Sequence, residues 1–281
     1  MIAQSKTVLA AATATLLVAT PQLEAQGISS GIPASFDSAQ QRVPMLTRTD
    51  AAGLLAVSAV VLALMPNDRS IAAAFQRSSV QSNSTLKGAA NVFDAVADPG
   101  VLVFSAATYF LGLAKHSLPV ASLGMHTGEA IVLGGVISEV MKGSFGRARP
   151  SVSPTDPRDF QSGRGFGNDD FGSFPSAETT IAFAAATAAS REVGRSWPSA
   201  SRYVTPASYC AATLVGFARL YKNQHWASDV VAGAGVGIMS GILFDRYNRK
   251  YPSNIFNRVF LPRSIVPAHG RLTVEWLLPL Q

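Results

Sequence analysis

Residues 119–141, PVASLGMHTGEAIVLGGVISEVM, decide the fold. The run is apolar, rich in Ala, Leu, Val and Gly, and too long for a strand, so it reads as a helix. Five more runs of the same kind accompany it, at 51–66, about 99–114, 178–190, 206–218 and 229–244. Together they predict an all-α, six-helix bundle. Thr205-Pro206 reads as the start of the fifth helix, with Thr as cap and Pro in the first helical position. Arg191, Gly194 and Pro198 read as the end of the fourth. Residues 67–98 predict one short amphipathic helix ending at Asp98-Pro99-Gly100. No internal repeat is present.

Composition narrows the function classes. The chain has 281 residues and a formal net charge of +6; 48% of it is hydrophobic and 14% charged. A soluble domain carries about 25% charged residues. High hydrophobicity with low charge excludes disorder over most of the chain, and also a charged coiled coil. Cys210 is the single cysteine, which excludes an intramolecular disulfide; its apolar surroundings predict a small core residue. The basic balance has no run of cations with interleaved aromatics, and Lys is scarce beside Arg, so nucleic acid is not an expected partner.

Residues 1–25 read as an export signal: Lys6, the short apolar stretch 7–20, then Leu23-Glu24-Ala25 with a small residue at the cleavage position. An N-terminal membrane anchor is the other reading. Residues 26–50 form a polar lead-in, residues 51–250 the helical domain, and residues 251–281 a basic tail in which Arg271–Trp276 alternates like a short strand.

Chemistry concentrates in three segments beside helix ends: Lys142 to Pro150, Phe174 to Thr179, and Ala218 to Asp229. The loop 143–176 that joins the first two is long and polar, as functional loops are. Lys142 and Arg149 stand seven apart, two turns if helical, and both suit phosphate oxygens, Arg as a planar fork of donors and Lys as a point charge. Ser176 stands where a helix begins, placed to cap it or to meet an anion. His225 and Asp229 are four apart, neighbours on one helical face, and a carboxylate on one ring nitrogen leaves the other free as a nucleophile. Taken singly, each of these residues also fits a solvated or capping role; the joint pattern is far more specific.

These segments resemble the signature of the type 2 phosphatidic acid phosphatase and vanadium haloperoxidase superfamily. Lys142, Arg149 and Pro150 match its first motif, Pro175 and Ser176 its second, and Arg219, His225 and Asp229 its third. The resemblance covers roughly residues 50–246. It implies a metal-independent acid or lipid phosphate phosphatase with no cofactor. His225 would be the nucleophile that forms a phosphohistidine, oriented by Asp229. Lys142, Arg149 and Arg219 would hold the phosphoryl oxygens, with Ser176 assisting. The implied partner is a phosphate ester or lipid phosphate. A homologue that binds phosphate or lipid head groups without turnover is a second expectation, and a vanadate-dependent haloperoxidase a third.

The sequence departs from the family at Ala177 and Glu178, where the second motif has Gly-His, and at Ala218, where the third begins with Ser. Three roles are open to Glu178: a replacement general acid, a helix-capping acid turned away from the chemistry, or the mark of a weak or inactive site. His116 and His126 read as structural, His126 lying about 24 Å from Lys142 along a straight helix. The solvent is also open. A run such as 51–66 makes a helix of about 24 Å, short against a hydrocarbon core of about 30 Å. Yet Arg42, Arg48, Lys115, Arg191, Arg195, Arg202, Arg246, Arg249 and Lys250 gather on connections away from the motifs, as cytoplasmic ends do. A cleaved signal and six spans would put the motif end on the other side. The expectation is an exported, cell-envelope protein, periplasmic or membrane-associated, with an outward-facing site.

Overall fold

The computed structural model describes residues 44–261, 264–268 and 271–275. The signal-like segment 1–25 and most of the 26–50 lead-in lie outside the described residues. Helix α1 (Arg48–Leu64) opens with a capping box: the Thr47 hydroxyl accepts the Asp50 N–H, and the Asp50 carboxylate accepts the Thr47 N–H. Residues 67–98 hold three helices rather than the one expected: α2 (Asp68–Phe75), α3 (Ser78–Gln81) and α4 (Ser84–Ala95). A kink at Asp98, whose φ/ψ of −143/117 is non-helical, separates α4 from α5 (Val101–Ala114). The ring of Pro99 forces this, because the residue before a proline is pushed out of the helical region. Then follow α6 (Leu118–Phe145), α7 (Ala177–Ser196), α8 (Pro198–Tyr221), α9 (Ala227–Lys250) and α10 (Ile255–Phe260). A hairpin of β1 (Ser264–Ala268) and β2 (Arg271–Glu275) pairs antiparallel with Ser264 opposite Glu275.

All six expected helices are present, and the all-α bundle stands, but two boundaries are corrected. Helix α7 runs on through Arg191 and Gly194 to Ser196. Its last turns are held by ion pairs from Arg191 and Arg195 to Asp245 of α9. Pro198 therefore opens α8 rather than closing α7, and Pro206 lies inside α8 instead of starting it. A proline in the first helical position loses no hydrogen bond that the helix would otherwise make.

The added length overturns the argument that the helices are too short for a bilayer. At 1.5 Å per residue, the 28 residues of α6 span about 42 Å and the 24 of α9 about 36 Å. Four segments are long and apolar enough to cross a membrane: Arg48–Phe75, Ser84–Ala114, Leu118–Phe145 and Ala227–Lys250. They carry large apolar side chains outward, among them Leu55, Leu62, Phe104, Phe110 and Val136. Such a surface is costly in water and suits lipid. The fold is a membrane-type helical bundle.

Helix α9 lies in the middle, against α7, α6 and α1. Gly233, Gly237 and Gly241 form one stripe on its α7-facing side; a Cβ at 237 would strike the Thr180 carbonyl and the Ala184 amide. Small residues at this spacing let two backbones approach closely where no hydrophobic effect drives helices together. Ala130, Ala184 and Ala188 continue the small-residue packing between α6 and α7. Because the long helices alternate in direction, the end of α6, the start of α7, the end of α8 and the start of α9 meet at one end of the bundle. All three motif segments lie there.

The opposite end is held by charge. Arg246 pairs with Asp50, Arg195 with Glu192 and Asp245, and His126 Nδ1 lies 3.0 Å from Glu192 Oε2. Arg191, Arg195 and Arg246 are thus structural partners rather than free connection charges, and His126 is structural as expected. Cys210 is exposed on α8, not in the core; an apolar run on a helix places some residues on its outer face, so its apolar surroundings in sequence did not imply burial.

Candidate active site

Helix α6 ends at Phe145, and Gly146, with φ +56, turns the chain out of it while its N–H caps the Lys142 carbonyl. A Cβ on Gly146 would overlap the Gln161 carbonyl. The turn corrects the expectation for Lys142 and Arg149: they share no helical face, because only Lys142 is on the helix. The Lys142 ammonium donates to Glu139 Oε1 at 2.9 Å. Arg149 lies in the loop beyond, held through its backbone N–H to the Asp170 carbonyl and its Nε to the Asp169 carbonyl, at 2.9 and 2.8 Å. Arg149 lines the cleft at this end of the bundle; Lys142 does not.

Between these two residues sits Arg147, which the motif reading passed over. Its side chain is fully buried. It donates from Nη2 to Asp68 Oδ2 at 2.8 Å, from Nη1 to Ser228 Oγ at 2.7 Å and to Asp229 Oδ1, and from Nε to the Pro157 carbonyl at 3.0 Å. The rings of Phe160 and Trp226 lie 4.9 and 5.5 Å from the guanidinium carbon. Asp68 and Asp229 are fully buried as well, so one cation joins two carboxylates out of reach of water. Asp68 also accepts the Ser228 N–H and hydroxyl. This brings α2, the loop after α6 and the start of α9 to one point.

His225 lies just before α9, whose first residue is Ala227, so it and Asp229 are not two positions on a helical face. Its Nδ1 is 2.7 Å from the Ser173 carbonyl and 4.0 Å from Asp229 Oδ2. A carbonyl only accepts, so Nδ1 carries the proton and Nε2 is the free position. The residue that orients the ring is therefore Ser173. Asp229 acts one step back, accepting the Ser173 hydroxyl at 2.6 Å and the Trp226 N–H at 2.8 Å.

The free nitrogen meets Glu178. His225 Nε2 lies 3.1 Å from Glu178 Oε2, and Arg219 Nη2 lies 3.2 Å from Oε1. Burial pushes this carboxyl up, but the His225 imidazole and then the Arg219 guanidinium beside it outweigh burial and hold it well below the usual carboxylate range. Arg219 also pairs with Asp94 on α4, which takes Lys222 too. Among the described residues the buried Arg219 Nε has no partner. Ser176 is the buried N-cap of α7; its hydroxyl is engaged with Thr179 and makes a long 3.5 Å contact to Glu178 Oε2, so it chiefly serves the start of the helix.

The cleft has a volume of about 500 Å³ and is lined by Arg149, Glu178, Arg219 and Gln224, with Asp94, Asp98, Asp169 and Asp170 at its walls. The fold thus brings His225, Glu178, Arg219 and Arg149 together, and turns Lys142 and Ser176 to other partners. Ser173, Arg147, Asp68 and Asp94 were missed. Arg147 could have been suspected as a second arginine in a tight apolar context. Asp68 and Asp94 lie in a connection whose polarity gave no sign of which charges would be buried. Among the described residues no three His, Cys, Asp or Glu side chains are arranged to hold a metal ion.

A model of the PAP2 superfamily matches residues 123–251. A lipid A 1-phosphatase of Porphyromonas gingivalis is 37% identical over 112 residues, which are 40% of this chain and 20% of that protein, so the chain spans about a fifth of that relative. A transmembrane PAP2 type phosphatidylglycerolphosphate phosphatase of Bacillus subtilis superposes with a TM-score of 0.49 at 17% identity, over 73% of this chain and 98% of that one. Aquifex aeolicus LpxE gives 0.36 at 23% identity, over 56% and 93%.

Proposed function

We propose that the chain, whose residues 123–251 match a model of the PAP2 superfamily, is a lipid phosphate phosphatase of the cell envelope that works through a phosphohistidine. The observation that carries this is the setting of His225: Nδ1 is fixed by a carbonyl, and Nε2 meets Glu178, a cleft-lining residue that also pairs with Arg219. A fixed tautomer with its second nitrogen presented is what nucleophilic catalysis needs. Arg149 and Arg219 supply the fixed cations that phosphoryl transfer relies on. Asp229 supports the nucleophile through Ser173, Ser176 sets the start of α7, and Lys142 adds positive charge behind the loop. The apolar outer surface suits a substrate that arrives from lipid. The site faces outward from the cytoplasm in this proposal, supported by the cations gathered at the other end of the bundle.

The test is phosphate release by protein purified in detergent, with phosphatidic acid, a polyprenyl diphosphate and a chromogenic phosphate ester as substrates. Turnover is expected in the parent and lost in His225→Ala. Turnover that survives in that variant removes His225 as nucleophile. A folded parent that binds phosphate and turns over none of the substrates supports the binding homologue instead.

A further inference from the structure

Glu178 occupies the space between Arg219 and His225. One carboxylate oxygen is on Arg219 Nη2 and the other on His225 Nε2. These are the contacts that a phosphoryl group bound for transfer to His225 would make. The side chain is 19% exposed, at the cleft wall. The same contact fixes a proton. Because Nδ1–H is committed to the Ser173 carbonyl, the 3.1 Å approach of Nε2 to a carboxylate oxygen requires a proton between them; two bare lone pairs would repel. Among the side chains lining the cleft there is no imidazole, and the remaining acids are the aspartates of its walls.

We propose that Glu178 is a resident stand-in for the phosphoryl group and the catalytic proton carrier of both half-reactions. This rests on the phosphatase reading above. A phosphate monoester takes Arg219 from Glu178, using Nη2 and the unpartnered Nε. Once Arg219 is lost to the phosphate, a cation that held the Glu178 carboxyl low is gone and burial, which raises it, remains; Glu178 then leaves with the shared proton as a neutral acid, and the Nε2 lone pair is freed in the same movement. Nε2 then forms the N–P bond, the P–O bond to the leaving group breaks, and the departing oxygen takes its electron pair and the Glu178 proton. Glu178 is now a carboxylate. It takes a proton from water as the water oxygen bonds to phosphorus; the P–N bond breaks and its electron pair returns to Nε2. Inorganic phosphate leaves, and the new proton is again shared between Glu178 and His225. Each turnover consumes one ester and one water and leaves the protonation of the site unchanged.

The leaving group supplies the test. Esters of simple alcohols, the class that includes glycerol and sugar lipids, need the proton; p-nitrophenyl phosphate, whose leaving group is stable as an anion, needs it far less. Glu178→Gln keeps the size and can donate an amide N–H to Nε2, but it has no acidic proton to transfer. It is expected to lower kcat on phosphatidic acid by about 100- to 10,000-fold, the span of general acid catalysis. On p-nitrophenyl phosphate the loss is expected to be at least tenfold smaller. Glu178→Asp, with a carboxyl on a shorter arm, should recover part of the alkyl-ester rate. Equal losses on both substrates, or full parental activity in Glu178→Gln, overturn the proposal and leave the phosphatase reading standing. A folded parent inert toward both substrates overturns both readings together.

Discussion

Replacing Arg147 by Met tests the buried charge network behind His225. The guanidinium has no exposure and compensates two carboxylates, Asp68 and Asp229, that have none either. Met fills much of the volume but leaves both acids with no cation, each still tied to a serine, Asp68 to Ser228 and Asp229 to Ser173. Removing one partner of a buried ion pair costs about 3–5 kcal/mol, because an uncompensated charge stays behind. Asp68→Asn is the control. It removes the surplus negative charge, leaves Arg147 paired with Asp229, and should cost only about 1–3 kcal/mol in lost hydrogen bonds. For a chain of this size 1 kcal/mol moves the melting temperature by roughly 2–4 °C. Thermal unfolding in detergent, followed by circular dichroism, should therefore drop by roughly 10 °C in Arg147→Met and clearly less in Asp68→Asn. An Asp68→Asn variant that loses as much as Arg147→Met would refute the assignment of Arg147 as the shared cation of the triad.

Gly146→Ala should destabilise by about 1–2 kcal/mol from the left-handed backbone alone, and by more through its overlap with the Gln161 carbonyl; an unchanged melting temperature would contradict the Gly146 turn. Gly237→Val should force α7 and α9 apart and cost about 1–3 kcal/mol, read as loss of monodisperse protein in detergent at raised temperature. The Glu178 carboxyl is held low by His225 and Arg219, which prevail over burial, so its stabilising effect is full above the ordinary carboxylate pKa of about 4 and fades only as pH falls through the lower folded value. The melting-temperature gap between the parent and Glu178→Gln should accordingly persist at pH 5 and close in stronger acid; a gap already lost between pH 6 and 5 would place a neutral carboxyl there.

The helices were legible because periodicity and composition act locally: the run 119–141 is apolar whatever surrounds it. Their ends were less so. Helix α7 gained its last turns from Asp245, a residue some fifty positions on that no local rule can supply. At the candidate site, His225 and Arg219 lie together because their spacing to each other is a local property that the fold preserves. The link from His225 to Asp229 was misread because spacing gives proximity but not which acceptor lies closer; the Ser173 carbonyl, a backbone atom of a distant loop, won that place. Backbone acceptors carry no sequence signal at all. Lys142 and Arg149 were misread for a different reason: the helix assumed between them stops at Gly146, a glycine that also reads as an ordinary small residue among helical neighbours.

Two acids that complete the active end, Asp68 and Asp94, lie upstream of residues 123–251, where every motif residue is found. A fragment beginning at 123 would keep His225 and both cleft arginines and yet lose one of the two counter-charges of Arg147 and one of the two of Arg219. The chemistry is therefore not divisible from the first helices. Substitutions there that never touch the cleft can silence it, and grafting the motif-bearing half onto foreign helices would transplant the reagents without their electrostatic ground.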